Sequence, residues 1–269
     1  MMKNQPSIID FYGSINTAHL HPKRDAATAL LLQKIEIQPN DHVLELGFGT
    51  AATLVWAASQ FRQSHFYGIE HNALMFRKGQ NRIKLCRLKN CRLFYNEKQS
   101  ELAFPDKHFD RIYAESVLAI QEGEVLETLF QELCRVLKPK GKLVINEGIW
   151  TDTFSSEQIA EMNAFCQTKF GIIQANGNYP YAADWKLLFE KSGFVVNQID
   201  DLETAENFPS RYKPLFENTI SKAFSLYGKV LLQINRKYRK QFACYKKEMA
   251  VTASKGNYLK GFLFDCTKA

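Results

Sequence analysis

Val43-Leu44-Glu45-Leu46-Gly47-Phe48-Gly49-Thr50-Ala51-Ala52 constrains the fold of this chain more than any other stretch. An apolar run of strand character carries an acid, then two closely spaced glycines, then a helical pattern. Glycine at 47 and 49 has no Cβ, so the backbone can turn tightly there and its N–H groups can approach a ligand. The next strand pattern, His65-Phe66-Tyr67-Gly68-Ile69-Glu70, ends in a carboxylate 21 residues after Gly49. A carboxylate at the tip of a second strand is placed to accept hydrogen bonds from both hydroxyls of a ribose. Together the two stretches predict a ribose-containing cofactor lying across the first two strands.

The rest of the chain keeps the same rhythm. A helix is predicted from near Asp25, with Ala27, Leu30, Leu31 and Ile35 on one face. Crossover helices follow over 51–61 and 72–89, the second rich in Lys and Arg, and Cys91–Tyr95 forms strand three. The loop from Leu102 to Asp110 runs into a fourth strand, Arg111–Glu115. A helix over 123–138 ends at Leu137-Lys138-Pro139-Lys140-Gly141, where proline stops the helix and glycine turns the chain into strand five, Lys142–Glu147. Strands alternating with helices at this spacing indicate an α/β, doubly wound, mostly parallel sheet. Beyond it the pattern predicts a helix over 155–170, a helix capped by Asp184, a sixth strand opening at Gly193 and a basic helical region over 210–250 broken at Gly228. A last strand spans Tyr258–Phe264. The 269 residues read as a single domain: a lid segment over 1–25, a cofactor core over 26–149, and cap helices over 150–183 and 205–255.

Four pieces in order carry a resemblance. They are Val43–Thr50, the acidic strand end at Glu70, Phe104-Pro105-Asp106-Lys107-His108-Phe109-Asp110 leading to Glu115, and Arg135-Val136-Leu137-Lys138-Pro139-Lys140-Gly141. In these the chain resembles the class I S-adenosylmethionine-dependent methyltransferases, closely over 43–148 and more loosely over 184–200 and 258–267. Its layout is similar to the small-molecule branches that methylate quinones, sterols and amines. The resemblance implies a Rossmann-like sheet of seven strands, the last antiparallel and inserted between the fifth and sixth, with S-adenosylmethionine as cofactor. It implies that the Gly47–Gly49 loop, with Phe48, faces the methionine part, that Glu45 sits near its amino end, and that Glu70 holds the ribose with His71 beside it. The adenine contact falls to Glu97 or Gln99. The third small position of the loop is Ala51 rather than glycine, a mild departure.

A nicotinamide dinucleotide site is the rival on a similar sheet. Against it, the loop lacks the third glycine that permits close helix–strand packing around a pyrophosphate. Glu45 would also set a carboxylate two residues before a loop meant to hold phosphates. Methyl transfer from a sulfonium needs mainly alignment and exclusion of water, and a base only where the acceptor must lose a proton. Glu115, at the carboxyl end of strand four, is the candidate to touch acceptor or cofactor; otherwise it is a solvated acid at a loop edge. His19 lies in the lid segment and could reach the site, or is an ordinary surface histidine, and His108 reads as solvated in a turn. No His, Asp and Glu cluster has metal-ligand spacing, so metal-independent chemistry is expected. Tyr12, Trp150, Phe154, Phe165, Phe170, Tyr179, Tyr181 and Trp185 either line an apolar acceptor pocket or pack the cap onto the sheet.

The net charge of +7 permits an anionic partner without requiring one. Its densest part, Arg236-Lys237-Tyr238-Arg239-Lys240 with Lys246-Lys247, interleaves with Tyr238, Phe242 and Tyr245. No nucleic-acid module accompanies it, so a nucleic-acid partner is not expected. Peripheral membrane contact through 236–247 stays open against the commoner solvated helix face. No apolar run approaches the roughly 18 residues of a membrane span, and the start lacks a signal-peptide pattern, so a cytoplasmic protein is expected. The function expected is methyl transfer to a small organic or lipid-like acceptor. Alternatives are an RNA or protein methyltransferase and a non-catalytic relative that binds cofactor or partner.

Overall fold

The computed structural model describes residues 7–18, 23–98, 100–203, 212 and 215–269. Seven strands form one sheet: β1 His42–Leu46, β2 His65–Glu70, β3 Cys91–Tyr95, β4 Phe109–Glu115, β5 Leu137–Trp150, β6 Phe194–Asp201 and β7 Leu259–Lys268. Their order is β3-β2-β1-β4-β5-β7-β6, with β1 parallel to both β2 and β4, and β7 antiparallel to both β5 and β6. This is the sheet that the resemblance implies. The strand order reverses between β1 and β4, and in open α/β sheets the crevice outside the carboxyl ends of such a pair is where ligands bind.

Strand parity divides the interior. Successive side chains point to opposite faces, so Leu44, Leu46, Ile112 and Ala114 join one apolar cluster while Val43, Phe66, Tyr113 and Val144 join the other. The second cluster is covered by α2 (Arg24–Lys34) and α3 (Ala52–Gln60), whose Leu30, Leu31, Leu54 and Val55 are fully buried or nearly so. Glu45 has the parity of Val43. Its carboxylate is therefore carried into the layer beneath α2 and α3 rather than into solvent.

Several boundaries differ from the sequence reading, each for a local reason. Strand β5 begins at Leu137, so Pro139 and Gly141 fall inside its span. Pairing jumps from Phe109↔Leu137 to Arg111↔Lys142, so that Asp110 alone faces residues 138–141, a bulge that absorbs the proline. Lys140, at φ +62°, makes the left-handed turn. Gly141 instead makes room, because a Cβ there would lie 2.8 Å from the Lys138 carbonyl oxygen. Asp184 stands in the first turn of α7 (Ala182–Lys191) and accepts from the Tyr181 N–H at 3.0 Å, so Tyr181 and not Asp184 is the cap residue.

The basic helical region is two helices, α8 (Phe216–Ile234) and α9 (Arg236–Ala253), broken at Asn235. Asn235 Oδ1 caps α9 by accepting from the N–H groups of Lys237 and Tyr238 at 2.9 and 3.3 Å. Gly228 does not break the helix. A Cβ there would sit 1.5 Å from the Ile15 carbonyl oxygen, so the glycine lets α8 pass directly over the segment that follows α1 (Ile8–Ser14).

The aromatic residues interleaved in α9 turn inward. Phe242 stacks on Phe11 with ring centroids 6.0 Å apart, and buried Tyr245 lies 5.3 Å from Phe11 and 6.2 Å from Phe170. The cap aromatics behave in the same way. Trp150 ends β5 and donates to the Ala175 and Asn176 carbonyls at 3.2 and 3.1 Å, while Trp185 is buried against Phe264. His108 is half-buried: its ring lies 4.8 Å from Phe109 and 5.4 Å from Tyr67. Among the described residues no helix is long and apolar enough to cross a membrane.

Candidate active site

The loop after β1 is folded back over β2. The N–H groups of Gly47 and Phe48 donate to the Ile69 carbonyl at 2.8 and 3.2 Å. Gly47 has φ +68°, and a Cβ on it would lie 2.4 Å from Val117 Cγ2, so both backbone geometry and space demand glycine. Gly49, at φ +55°, differs: an added Cβ would meet no atom within 4 Å and would project into open space. Phe48 turns its ring down between Gly68 and Gly79, where added Cβ atoms would lie 2.6 and 2.5 Å from it. Ala51 takes φ +63° at the start of α3, the left-handed conformation that glycine would adopt without cost.

Three carboxylates converge on this loop. Glu70, 5% exposed, accepts from the Gly49 N–H and the Asn72 N–H, each at 2.8 Å. Burial raises its carboxyl above the usual range, against the lowering effect of those N–H groups and of His71. Glu45, 4% exposed, accepts from the Tyr113 hydroxyl at 2.8 Å. Burial holds its carboxyl well above the ordinary value, and the charges of Glu115 and Glu70 push the same way. Glu115 is half-buried and accepts from Thr28 Oγ1 at 3.0 Å, Thr53 Oγ1 at 2.7 Å and Asn146 Nδ2 at 3.2 Å. It is thus tied to α2, α3 and β5 and is not a solvated loop-edge acid.

All three carboxylates line one cleft with Gly47, Phe48, Gly49 and His71, and among the described residues no lysine or arginine lines it. The far wall is Ile9, Thr17 and Ala18 from the amino-terminal segment. The Thr50 hydroxyl donates to the Thr17 carbonyl at 2.6 Å and ties wall to loop. The cleft encloses about 90 Å³, well below the roughly 300–1,000 Å³ of ligand pockets.

The remaining sequence candidates separate. His71 lines the cleft, its Nδ1 3.6 Å from Glu70 Oε1. Glu97 is exposed and not among the lining residues; Asn96, one residue earlier, lines a small adjoining hollow with His71 and Gln121. His19 and Gln99 lie outside the described residues. None of the eight cap aromatics lines the cleft. Among the described residues no group of three or more His, Cys, Asp or Glu is arranged to hold a metal.

Sequence reasoning missed the groups that hold the three acids. Tyr113 reads as a core aromatic, yet the parity that buries Glu45 beside it was a signal that the acid needs a donor there. Glu147, on β5, was missed altogether. It is fully buried and accepts from the N–H groups of Val117, Leu118 and Ala119 at 2.9, 2.8 and 3.2 Å, which fixes the loop after β4. Burial pushes its carboxyl up to about 7. An acid whose folded value is raised gives a stability contribution that is full at low pH and is lost as pH rises from its unfolded value, roughly 4.3, to about 7. Glu147→Gln removes that titration. The variant should therefore gain stability relative to wild type between pH 5 and pH 8, by about 1–3 kcal/mol, read from urea midpoints at the two pH values. An unchanged difference would place the buried proton elsewhere.

The comparisons with known proteins agree with this geometry. Residues 43–141 match the family described as "Methyltransferase domain". A sterol 24-C-methyltransferase of Yarrowia lipolytica is 28% identical over 188 residues, covering 69% of this chain and 47% of that protein. A phosphoethanolamine N-methyltransferase of Plasmodium falciparum is 25% identical, covering 79% of this chain and 67% of that protein. The chain spans about half the length of the sterol-methylating relatives, 47% in the first two. Among solved structures, Haemonchus contortus phosphoethanolamine N-methyltransferase 2 in complex with S-adenosyl-L-methionine has a TM-score of 0.67 at 15% identity, covering 97% of this chain and 56% of that one. The [4+2]-cyclase SpnF has a TM-score of 0.68 at 14% identity over 97% of this chain and 93% of that one. The domain match over residues 43–141 and the order of the sheet both agree with the resemblance to the class I S-adenosylmethionine-dependent methyltransferases.

The residues present fit the family's cofactor. Gly49 offers the space that a Cβ would otherwise fill, Glu70 stands at the tip of β2, and the cleft's carboxylates face a ligand that carries a sulfonium and an ammonium.

Proposed function

We propose that this protein transfers a methyl group from S-adenosylmethionine to a small organic or lipid-like acceptor. The observation that carries the reading is the sign of the cleft: Glu45, Glu70 and Glu115 line it without a lysine or arginine. Three carboxylates around one cleft attract a cation and repel a pyrophosphate. That is the electrostatic demand of a sulfonium donor and the reverse of a dinucleotide's. Methyl-transferring relatives with sterol and phosphoethanolamine in their names support the acceptor class.

When bound, the cofactor supplies a methyl group on a positively charged sulfur. The protein's part is positional. Glu70 accepts from the ribose hydroxyls, and the Gly47–Gly49 backbone gives the methionine chain a close seat. Glu45 stands nearest the ammonium end, and Phe48 and His71 complete the seat on either side of the loop. Glu97 and Gln99 stay the proposed contacts to adenine. Glu115, fixed by Thr28, Thr53 and Asn146, faces the reacting end with a carboxylate that needs no reorganisation. Glu115 and His19 are the two groups proposed to face the acceptor, and either serves as base only where the acceptor must lose a proton. Thr17 and Ala18 exclude water from the closed cleft. The reading includes a cytoplasmic location, metal-independent chemistry and no nucleic-acid partner. It leaves the outer, basic face of α9 free to meet a lipid surface.

Calorimetric titration with S-adenosylmethionine, S-adenosylhomocysteine and NADH tests it. Micromolar binding of the first two and none of NADH is expected; NADH binding alone would sink the proposal. A second reading is favoured by the likeness to a [4+2]-cyclase, since one fold hosts several chemistries. Tight cofactor binding with no methyl transferred across a panel of labelled-donor assays would favour it.

A further inference from the structure

Beside the cleft, and walled from it by Thr17 and Ala18, lies a second, larger cavity of about 680 Å³. Helix α8 forms one side, and α2, α3 and the segment after α1 form the others. That volume falls within the roughly 300–1,000 Å³ in which proteins hold drug-sized ligands. The floor is apolar: Ile15, Ala52 and Trp56 are each at most 8% exposed. The rim is cationic. Arg24, Lys222 and Lys229 are exposed there, and the one carboxylate among the described lining residues, Asp25, pairs with Lys222 at 3.6 Å. Trp56 is more than nine-tenths buried, yet its indole N–H has no acceptor among the described residues. Buried donors without partners are rare in native proteins and call for an explanation. Leu226, on the rim, is 58% exposed and leads onto exposed Tyr227, Val230 and Ile234, so apolar surface runs out of the cavity along α8.

We propose that this cavity binds an amphiphile with an anionic head, its apolar body on Ala52 and Trp56 and its head among Arg24, Lys222 and Lys229. An apolar floor with a cationic rim discriminates by charge as well as by area, because a neutral amphiphile gains the burial and not the ion pairing. The shared Thr17–Ala18 wall brings such a molecule alongside the cofactor cleft without occupying it.

The probe is a dodecyl phosphate brominated near the chain end, titrated below its micellar concentration while tryptophan emission is followed. Of the three tryptophans, Trp150 and Trp185 are closed within the cap core, so quenching reports Trp56. Saturable quenching is expected, together with its loss in Trp56→Phe while calorimetric binding persists. Ala223→Trp, which fills the cavity, and the double variant Lys222→Glu/Lys229→Glu should each weaken binding by roughly tenfold or more, the scale of one lost charge-assisted contact. Dodecyl maltoside, with the same chain and no charge, should bind more weakly by a similar factor. Absence of quenching overturns the site, and equal affinity for the maltoside or indifference to the double variant overturns the head-group assignment. Anionic vesicles that bind the protein without quenching Trp56 would replace the cavity by surface docking on α8, which also overturns it. S-adenosylmethionine binding is measured on the same variants. In wild type, its retention while the amphiphile fails counts against this proposal alone, and its absence with the amphiphile bound counts against methyl transfer alone.

Discussion

Glu70→Ala should weaken S-adenosylmethionine binding by at least about 100-fold in calorimetric titration, with the fold intact by circular dichroism. Hydrogen bonds to a charged group contribute roughly 1.5–3 kcal/mol each, and loss of two ribose contacts amounts to about 3 kcal/mol, or roughly two decades in affinity. The substitution also frees the Gly49 N–H, which Glu70 Oε2 holds at 2.8 Å, so the loop loses its tie to β2 at the same time. Glu70→Gln keeps one acceptor and sets an amide N–H against a donor, and should fall between wild type and alanine. Unchanged affinity in the alanine variant would mean that the ribose is held elsewhere.

Arg82→Met should lower the thermal midpoint by about 10 °C, from a loss of roughly 4 kcal/mol. Arg82, on α4 (Ala73–Leu85), is 0% exposed, with no carboxylate among its hydrogen-bond partners in the described residues. Its guanidinium makes six hydrogen bonds, to Thr50 O and Oγ1, Ser221 O and Oγ, Ser225 Oγ and Asn16 O. It also stands 4.7 Å from the centre of the Phe224 ring. Burial pushes it down to about 10, which leaves it charged at neutral pH. One cation thus pins α8 and the segment after α1 to the loop that opens α3. Methionine fills similar volume and takes the side-chain donor from the carbonyls of Thr50 and Asn16, each at a cost of roughly 1–3 kcal/mol, while Ser221 keeps only its bond within α8. Lysine restores the charge with three donors in place of a planar fork and should recover only part of the loss. A midpoint like that of wild type would show that the surrounding carbonyls find other donors.

The contrast between these two residues explains what was legible. Glu70 is picked out in the chain because its place, at the carboxyl tip of the strand after the glycine loop, is set by local pattern, and its proposed role follows from that place. Arg82 is hidden among the lysines and arginines of an ordinary crossover helix, since its partners stand at 16, 50, 221 and 225. Sheet order was legible because the four motifs occur in a fixed order along alternating strands and helices. The bulge at 138–141 was not, because proline followed by glycine reads equally as a turn. Gly228 misled for a related reason: a glycine required by the carbonyl of another segment looks, in one dimension, like a helix breaker. Glu115 was found by its place at the end of β4, while the hydroxyls of Thr28 and Thr53 that hold it come from helices whose faces only packing brings together. Of the cap aromatics, Trp150, Phe170 and Trp185 are buried in the core, while Phe154 and Phe165 line a hollow of their own away from the cleft.

The position of β7 dictates when the molecule can close during synthesis. It lies between β5 and β6, pairing Cys266 with Leu143 on one side and Val196 on the other. In the sheet order β6 has no other neighbour. A ribosome-bound chain that has emerged only as far as α9 holds a five-stranded half-sheet and a β6 with nothing to pair to. Both present open edges of the kind that recruit strands from other chains. Closing the gap waits on contacts between segments far apart in sequence, the slow class of folding event. The last strand therefore acts as a keystone, and the nascent protein is most open to misassembly in the interval before it arrives.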